Sequence, residues 1–304
     1  MSRERDIGAA RDAMVNDLVR RRLIRAPAVE RAFRRVQRHA FLTSPYILST
    51  DPLLEDIEET DDACRVYNDQ AVALTVNSDI SSCAPSLLAA EVEQLAVADG
   101  MRVLHIGTGS GYCTAILADL AGERGTIVGV EYIQELAELS AGLLAQAGVT
   151  TATVRHGDGL LGVAEAAPFD RILVSAGVTD IAPAWVRQLD DEGALVLPLS
   201  PTGRLARRVS GGTLLTIQKS RDTLWGELSA TAFFVPLLGT RASAADDSET
   251  LADGLARWLA LEEFLRTDLP IRVVMKPASP AAPDPRSVPW LLETKNAVMW
   301  IEPS

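Results

Sequence analysis

A chain of 304 residues with 47% apolar side chains can bury a full core, either as one large domain or as a domain with an appendage. Its 41 acidic and 29 basic residues leave a net charge of −12, which works against a nucleic-acid partner because phosphate contacts need a basic surface. The three cysteines, Cys64, Cys83 and Cys113, are widely spaced with no C-x-x-C pair, so neither a disulfide framework nor a metal site is expected.

The opening run MSRERDIGAARD is charged where a signal peptide would be apolar, and no apolar run reaches the length of a membrane span. The expected compartment is therefore the cytoplasm, with no membrane partner. Met14, Val15, Leu18, Val19 and Leu23 share one helical face over Asp12 to Leu23, and Ala28 to Val36 predicts a second helix. Arg20, Arg21, Arg22, Arg25, Arg31, Arg34, Arg35 and Arg38 crowd this lead-in. They read as a solvated face over an acidic body, or as an anchor for an acidic peptide. From Ser44 to Ser82 the pattern is loop-like, with Pro45, Pro52 and a solvated acidic run from Glu55 to Asp62. Cys83-Ala84-Pro85-Ser86 then opens a helix with Pro85 near its first position.

The most informative stretch is VLHIGTGSGY, Val103 to Tyr112. A short apolar strand meets Gly107, Gly109 and Gly111, and a helical run follows to Leu120. Glycines here let a ligand approach the main chain, and the N–H groups of the helix start favour a negative group. The G-x-G-x-G spacing is one residue short of the dinucleotide fingerprint and suits a ligand without a pyrophosphate, such as S-adenosylmethionine. Glu131 ends the next strand about 20 residues on, where an acid can hold a ribose. A glycine turn that merely closes a β-α unit is the plainer reading.

Alternation continues: helix Gln134 to Gln146, strand Thr151 to Arg155, turn Gly157-Asp158-Gly159, strand Arg171 to Ser175, helix Ala182 to Gln188 and strand Ala194 to Pro198. This predicts a mostly parallel, doubly wound α/β sheet. Arg207 to Ser210 and Thr213 to Lys219 read as strands joined by a hairpin at Gly211-Gly212, and an apolar strand ends in Phe233-Phe234-Val235-Pro236-Leu237. Beyond Thr240 the composition shifts: a helix is predicted over Leu251 to Phe264, and strands over Ile271 to Met275 and Ala297 to Ile301. The expected organisation is a helical lead-in and loop over 1–79, a Rossmann-like domain over 80–239 and a small α+β extension over 240–304.

RVQRHAFL, the Cys83-Ala84-Pro85 helix start, VLHIGTGSGY, GVEYIQELAE, HGDGLLG, PFDRILVSAGV and FFVPL together resemble the protein-L-isoaspartate O-methyltransferase family. The resemblance implies a class I S-adenosylmethionine-dependent methyltransferase fold, with S-adenosylhomocysteine as product. It implies that His105, Gly107, Thr108, Gly109, Ser110 and Gly111 line the methionine part of the cofactor. Glu131 and Tyr132 would meet the ribose and adenine edge, and Asp158 and Gly159 the adenine. Phe234, Val235, Pro236 and Leu237 would hold an extended substrate peptide through their backbone. The family has serine where this chain has Cys83 and glutamate where it has His105, so Cys83 or the neighbouring Ser82 is the expected acceptor-positioning residue. Read alone, His105 is a satisfied core histidine, Asp158 a turn residue and FFVPL a buried strand stopped by proline.

The implied reaction is methylation of an aspartyl or L-isoaspartyl carboxylate in a peptide or protein. The methyl ester then closes to a succinimide. The chain would serve either protein repair or tailoring of one ribosomal peptide, as a monomer and without metal. A carboxylate with a reference pKa of roughly 4 is already a nucleophile at neutral pH, so alignment and dryness matter more than a general base. The alternative is a peptide-binding protein that keeps the fold and has lost catalytic power.

Overall fold

The computed structural model describes residues 2–49, 57–74, 80–178, 181–199, 210–220, 223–234, 237, 272–275, 290–293 and 298–301. It divides into two compact units, 1–159 and 160–304.

The first unit opens with helices α1 (Ser2–Arg20) and α2 (Pro27–Arg35) and a 3-10 turn, Arg38–Phe41. Helix α1 packs on α2, and Val15, Leu18, Ala32 and Phe33 are buried. The arginines of this lead-in are largely consumed within the unit. Arg20 and Arg21 pair with Asp17, Arg21 also with Asp69, Arg34 with Asp12 and Glu30, and Arg35 with Asp119. That arrangement matches the solvated-face reading except at Arg38, which is fully buried.

The stretch read as a loop holds a small antiparallel sheet, in the order β2-β1-β3-β4, of β1 (Tyr46–Ser49), β2 (Ile57–Thr60), β3 (Ala71–Ala73) and β4 (Ser81–Ser82). Strands of two to four residues are too short for alternation to show, and cross-strand pairing holds them instead. The acidic edge strand β2 is solvated as expected, with Glu58 paired to Arg65.

Helix α3 (Pro85–Leu95) leads to β5 (Arg102–Ile106), α4 (Tyr112–Ala121), β6 (Thr126–Glu131), α5 (Gln134–Gln146) and β7 (Ala152–His156). Strands β5, β6 and β7 are parallel neighbours in that order, as each β-α-β crossover requires. Val103, Leu104, Ile106, Ile127 and Val130 are buried in the strands, and Ile116 and Leu117 in α4.

In the second unit, β8 (Phe169–Val174) and β9 (Leu189–Leu199) are parallel and joined through α6 (Pro183–Gln188). Strands β10 (Ser210–Ser220) and β11 (Thr223–Phe234) continue antiparallel from β9. The hairpin predicted at Gly211-Gly212 is corrected: both glycines lie within β10, opposite Phe233 and Ala232. A Gly-Gly pair reads as a turn only by local preference, and here pairing along β11 overrides it. The ladder runs on through β12 (Arg272–Met275), β13 (Trp290–Glu293) and β14 (Val298–Ile301), of which β13 was not expected. The helix expected over Leu251 to Phe264 lies outside the described residues.

Candidate active site

The glycine turn joins β5 to α4. Gly107 N–H donates to the Val130 carbonyl at 2.9 Å, tying the turn to β6, and Gly111 N–H donates to the Thr108 carbonyl at 2.9 Å. Gly109 and Gly111 have φ of +53° and +90°, a region that side chains with a Cβ rarely adopt. Space is short as well. A Cβ on Gly111 would stand 2.7 Å from Ser140 Oγ on α5, and one on Gly109 would stand 3.3 Å from Leu74 Cδ1. A further glycine that the sequence reading gave no role, Gly129 on β6, is as tightly placed: its Cβ would meet the Thr108 methyl at 2.6 Å. Its absence lets Thr108 tuck against the strand.

Glu131 closes the turn from β6. Its Oε2 accepts the Gly109 N–H at 2.9 Å and its Oε1 the Ile133 N–H at 3.2 Å. Burial pushes this carboxyl above its ordinary range, while the amide donors pull it back toward the charged form. The next residue, Tyr132, is exposed. The Glu131 carbonyl accepts the Gly157 N–H at 2.9 Å, which fixes the Gly157-Asp158-Gly159 turn beside Glu131; Asp158 is half-buried and Gly159 buried. The carboxyl ends of β5, β6 and β7 therefore bring Gly107 to Gly111, Glu131 and Asp158 together, where parallel α/β sheets place ligands.

His105 lies behind this turn. It is fully enclosed, and its Nδ1 is 2.8 Å from Thr114 Oγ1 on α4. Burial lowers its pKa to about 3, so the ring is neutral at ordinary pH.

Ser81 and Ser82 form β4, opposite Ala73 and Val72. Leu74, the neighbour of Gly109, donates its N–H to the Ile80 carbonyl at 3.0 Å, so the Ser82-Cys83 segment and the glycine turn share one neighbourhood. The Cys83 carbonyl accepts a hydrogen bond from Arg38 Nη2 at 2.8 Å. Burial, with a contribution from Glu91, pushes the Cys83 thiol up to about 12, so it stays protonated. Asp69, another residue not singled out from sequence, accepts the Ser86 N–H at 2.8 Å and caps the start of α3.

Phe234 and Leu237 are buried within the second unit, where Leu237 N–H donates to the Gly177 carbonyl at 2.8 Å. Val235 and Pro236 lie outside the described residues. Among the described residues no cluster of three His, Cys, Asp or Glu could hold a metal, and no helix is long and apolar enough to cross a membrane.

Residues 9–242 match the family described as protein-L-isoaspartate(D-aspartate) O-methyltransferase. The protein-L-isoaspartate O-methyltransferase of Methanococcoides burtonii is 33% identical over 209 residues, 68% of this chain and 90% of that protein. The one from Roseiflexus sp. is 35% identical over 241 residues, 79% and 97% of the two chains. A solved protein-L-isoaspartate O-methyltransferase superposes with a TM-score of 0.62 at 27% identity, over 75% of this chain and 66% of that one. A Plasmodium falciparum structure holding S-adenosyl-L-homocysteine gives a TM-score of 0.59 at 18% identity, over 74% and 97% of the chains, a likeness of fold. With the glycine turn, the Glu131 clasp and a match across most of its length, the chain belongs to the protein-L-isoaspartate(D-aspartate) O-methyltransferase family and has the S-adenosylmethionine-dependent methyltransferase fold.

Proposed function

We propose that the chain methylates the free α-carboxylate of L-isoaspartyl residues in proteins, whose main chain runs through the side-chain carbonyl, as a repair enzyme. The carrying observation is the Glu131 carboxylate bonded to the Gly109 amide, in a chain that its family matches over residues 9–242. S-adenosylmethionine supplies the methyl group on a sulfonium, which becomes the thioether of S-adenosylhomocysteine as the new carboxylate O–CH3 bond forms.

The residues fit that group. Thr108 Oγ1 is buried in the turn with no hydrogen-bond partner among the described residues. The N-terminus of α4, opened by Gly111, offers amide N–H groups to a carboxylate. The two Glu131 oxygens accept one amide each and keep lone pairs for ribose hydroxyls. Tyr132 offers an exposed ring to the adenine edge, and Asp158 and Gly159 hold its polar rim. His105 supports the turn from behind through Thr114.

On the acceptor side, an ionised carboxylate needs no base, so the Ser82-Cys83 segment has only to orient it and exclude water. Cys83 acts as a neutral donor, and its protonated thiol does not compete for the methyl group. The family resemblance assigns the FFVPL string, Phe233 to Leu237, to recognition of an extended substrate peptide. Once the ester has formed, the neighbouring backbone amide displaces methanol and gives a succinimide.

The test is incubation of the full chain with S-adenosylmethionine and matched isoaspartyl and aspartyl peptides. One methyl mass gained on the isoaspartyl peptide alone supports repair. A gain on neither, with the cofactor bound, overturns the proposal in favour of a binding protein; a gain on the aspartyl peptide alone overturns it in favour of tailoring.

A further inference from the structure

The cation at the start of the 3-10 turn has no part in the mechanism above. Arg38 is fully buried, the one arginine of the lead-in read as solvated that the fold encloses completely. Its Nη2 donates to the Cys83 carbonyl at 2.8 Å, and its guanidinium carbon lies 5.3 Å from the centroid of the Tyr112 ring. Its Nε and Nη1 have no hydrogen-bond partner among the described residues. Enclosing a guanidinium costs several kcal/mol unless protein dipoles replace its water, and an apolar side chain fills the same volume without that penalty. A carbonyl and an aromatic face supply part of the replacement. The same Nη2 also reaches the Gln70 carbonyl at 3.5 Å, and the other two partners are telling: Cys83 belongs to the acceptor segment, and Tyr112 is the first residue of α4, directly after Gly111.

We infer that Arg38 is a positioning residue for methyl transfer: by holding the Cys83 main chain against Tyr112, it fixes the acceptor segment relative to the cofactor turn. This rests on the function proposed above. In-line transfer tolerates little displacement, since a shift of about 1 Å lowers the rate on the order of a hundredfold. Lysine keeps the charge and one donor but lacks the planar fork that bonds a carbonyl while stacking on a ring. A lysine replacement therefore restores the function only in part.

The test uses the full chain with Arg38→Met and Arg38→Lys, reading cofactor affinity by calorimetry, kcat and KM on an isoaspartyl peptide, and the alkylation rate of Cys83 resolved by peptide mass spectrometry. Arg38→Met should hold cofactor affinity within about threefold, lower kcat by about thirtyfold and speed Cys83 alkylation about tenfold relative to Cys64, with Arg38→Lys intermediate in both. Unchanged Cys83 alkylation or unchanged kcat in Arg38→Met overturns the inference. So does a loss of cofactor affinity in step with kcat, which marks a general structural role. If Arg38→Met does not fold, the same readouts on Arg38→Lys decide. A wild-type chain that methylates no peptide contradicts the functional reading instead, and the alkylation rates then decide the Arg38 tether by themselves.

Discussion

Glu131 Oε2 and the Gly109 amide are 2.9 Å apart, so the acid at the end of β6 and the glycine turn after β5 form one bonded unit. Replacing the carboxylate with an amide removes the charge and two acceptor sites for ribose hydroxyls. Glu131→Gln should weaken S-adenosylmethionine binding by about ten- to a hundredfold, the worth of hydrogen bonds to a charged group. Titration calorimetry reads this directly, and equal affinity in the two proteins would remove Glu131 from the site.

Gly109→Val is expected to abolish cofactor binding. A β-branched residue at φ +53° strains the backbone, and its side chain would crowd Leu74 Cδ1 and fill the face of the turn that a ligand needs. The left-handed conformation alone costs about 1–2 kcal/mol, so the melting temperature should drop by a few degrees. A folded variant with wild-type affinity contradicts the assignment of the turn.

Glu91 is fully buried, and neither carboxyl oxygen has a hydrogen-bond partner among the described residues. Burial raises its pKa from 4.5 to about 8. The folded chain keeps this proton across a range in which the unfolded chain releases it, so stability falls as pH rises from 4.5 to about 8. Glu91→Met should therefore melt close to wild type near the acid end of that window and several degrees higher at the alkaline end. Thermal melts across the window check this, and a difference independent of pH would contradict it.

Cys83→Ser places a stronger hydrogen-bond donor at the acceptor segment, and its kcat should equal or exceed that of wild type. Cys83→Ala should lose about five- to tenfold in kcat, the equivalent of about 1 kcal/mol of hydrogen bonding. If the alanine variant is fully active, positioning has passed to Ser82, and Ser82→Ala should then carry the loss.

What the sequence made legible was periodic or sterically obligatory. Helix α5 spans Gln134–Gln146 as its apolar spacing predicts, and the glycines of VLHIGTGSGY mark a turn whose φ angles demand them. The strands β1 to β4 were hidden because cross-strand pairing, with no local signal, holds segments of two to four residues. Gly129 opens the string GVEYIQELAE, but nothing local in that string shows its purpose, the room it leaves for Thr108. Arg38 could not be told from its arginine neighbours, because burial of a cation depends on the Cys83 carbonyl and the Tyr112 ring, both distant in sequence. His105 reads alone as a core histidine and only through the resemblance as a cofactor contact; the fold turns its Nδ1 to Thr114.

The most direct measurement follows an isotope-labelled methyl group by NMR in one tube holding the full chain, S-adenosylmethionine and an isoaspartyl peptide. The account predicts that the sulfonium methyl signal declines, a methyl-ester signal appears on the isoaspartyl residue, and methanol then accumulates as the succinimide closes. A sulfonium signal that persists at saturating peptide, under conditions where the chain is folded and binds the cofactor, would contradict it.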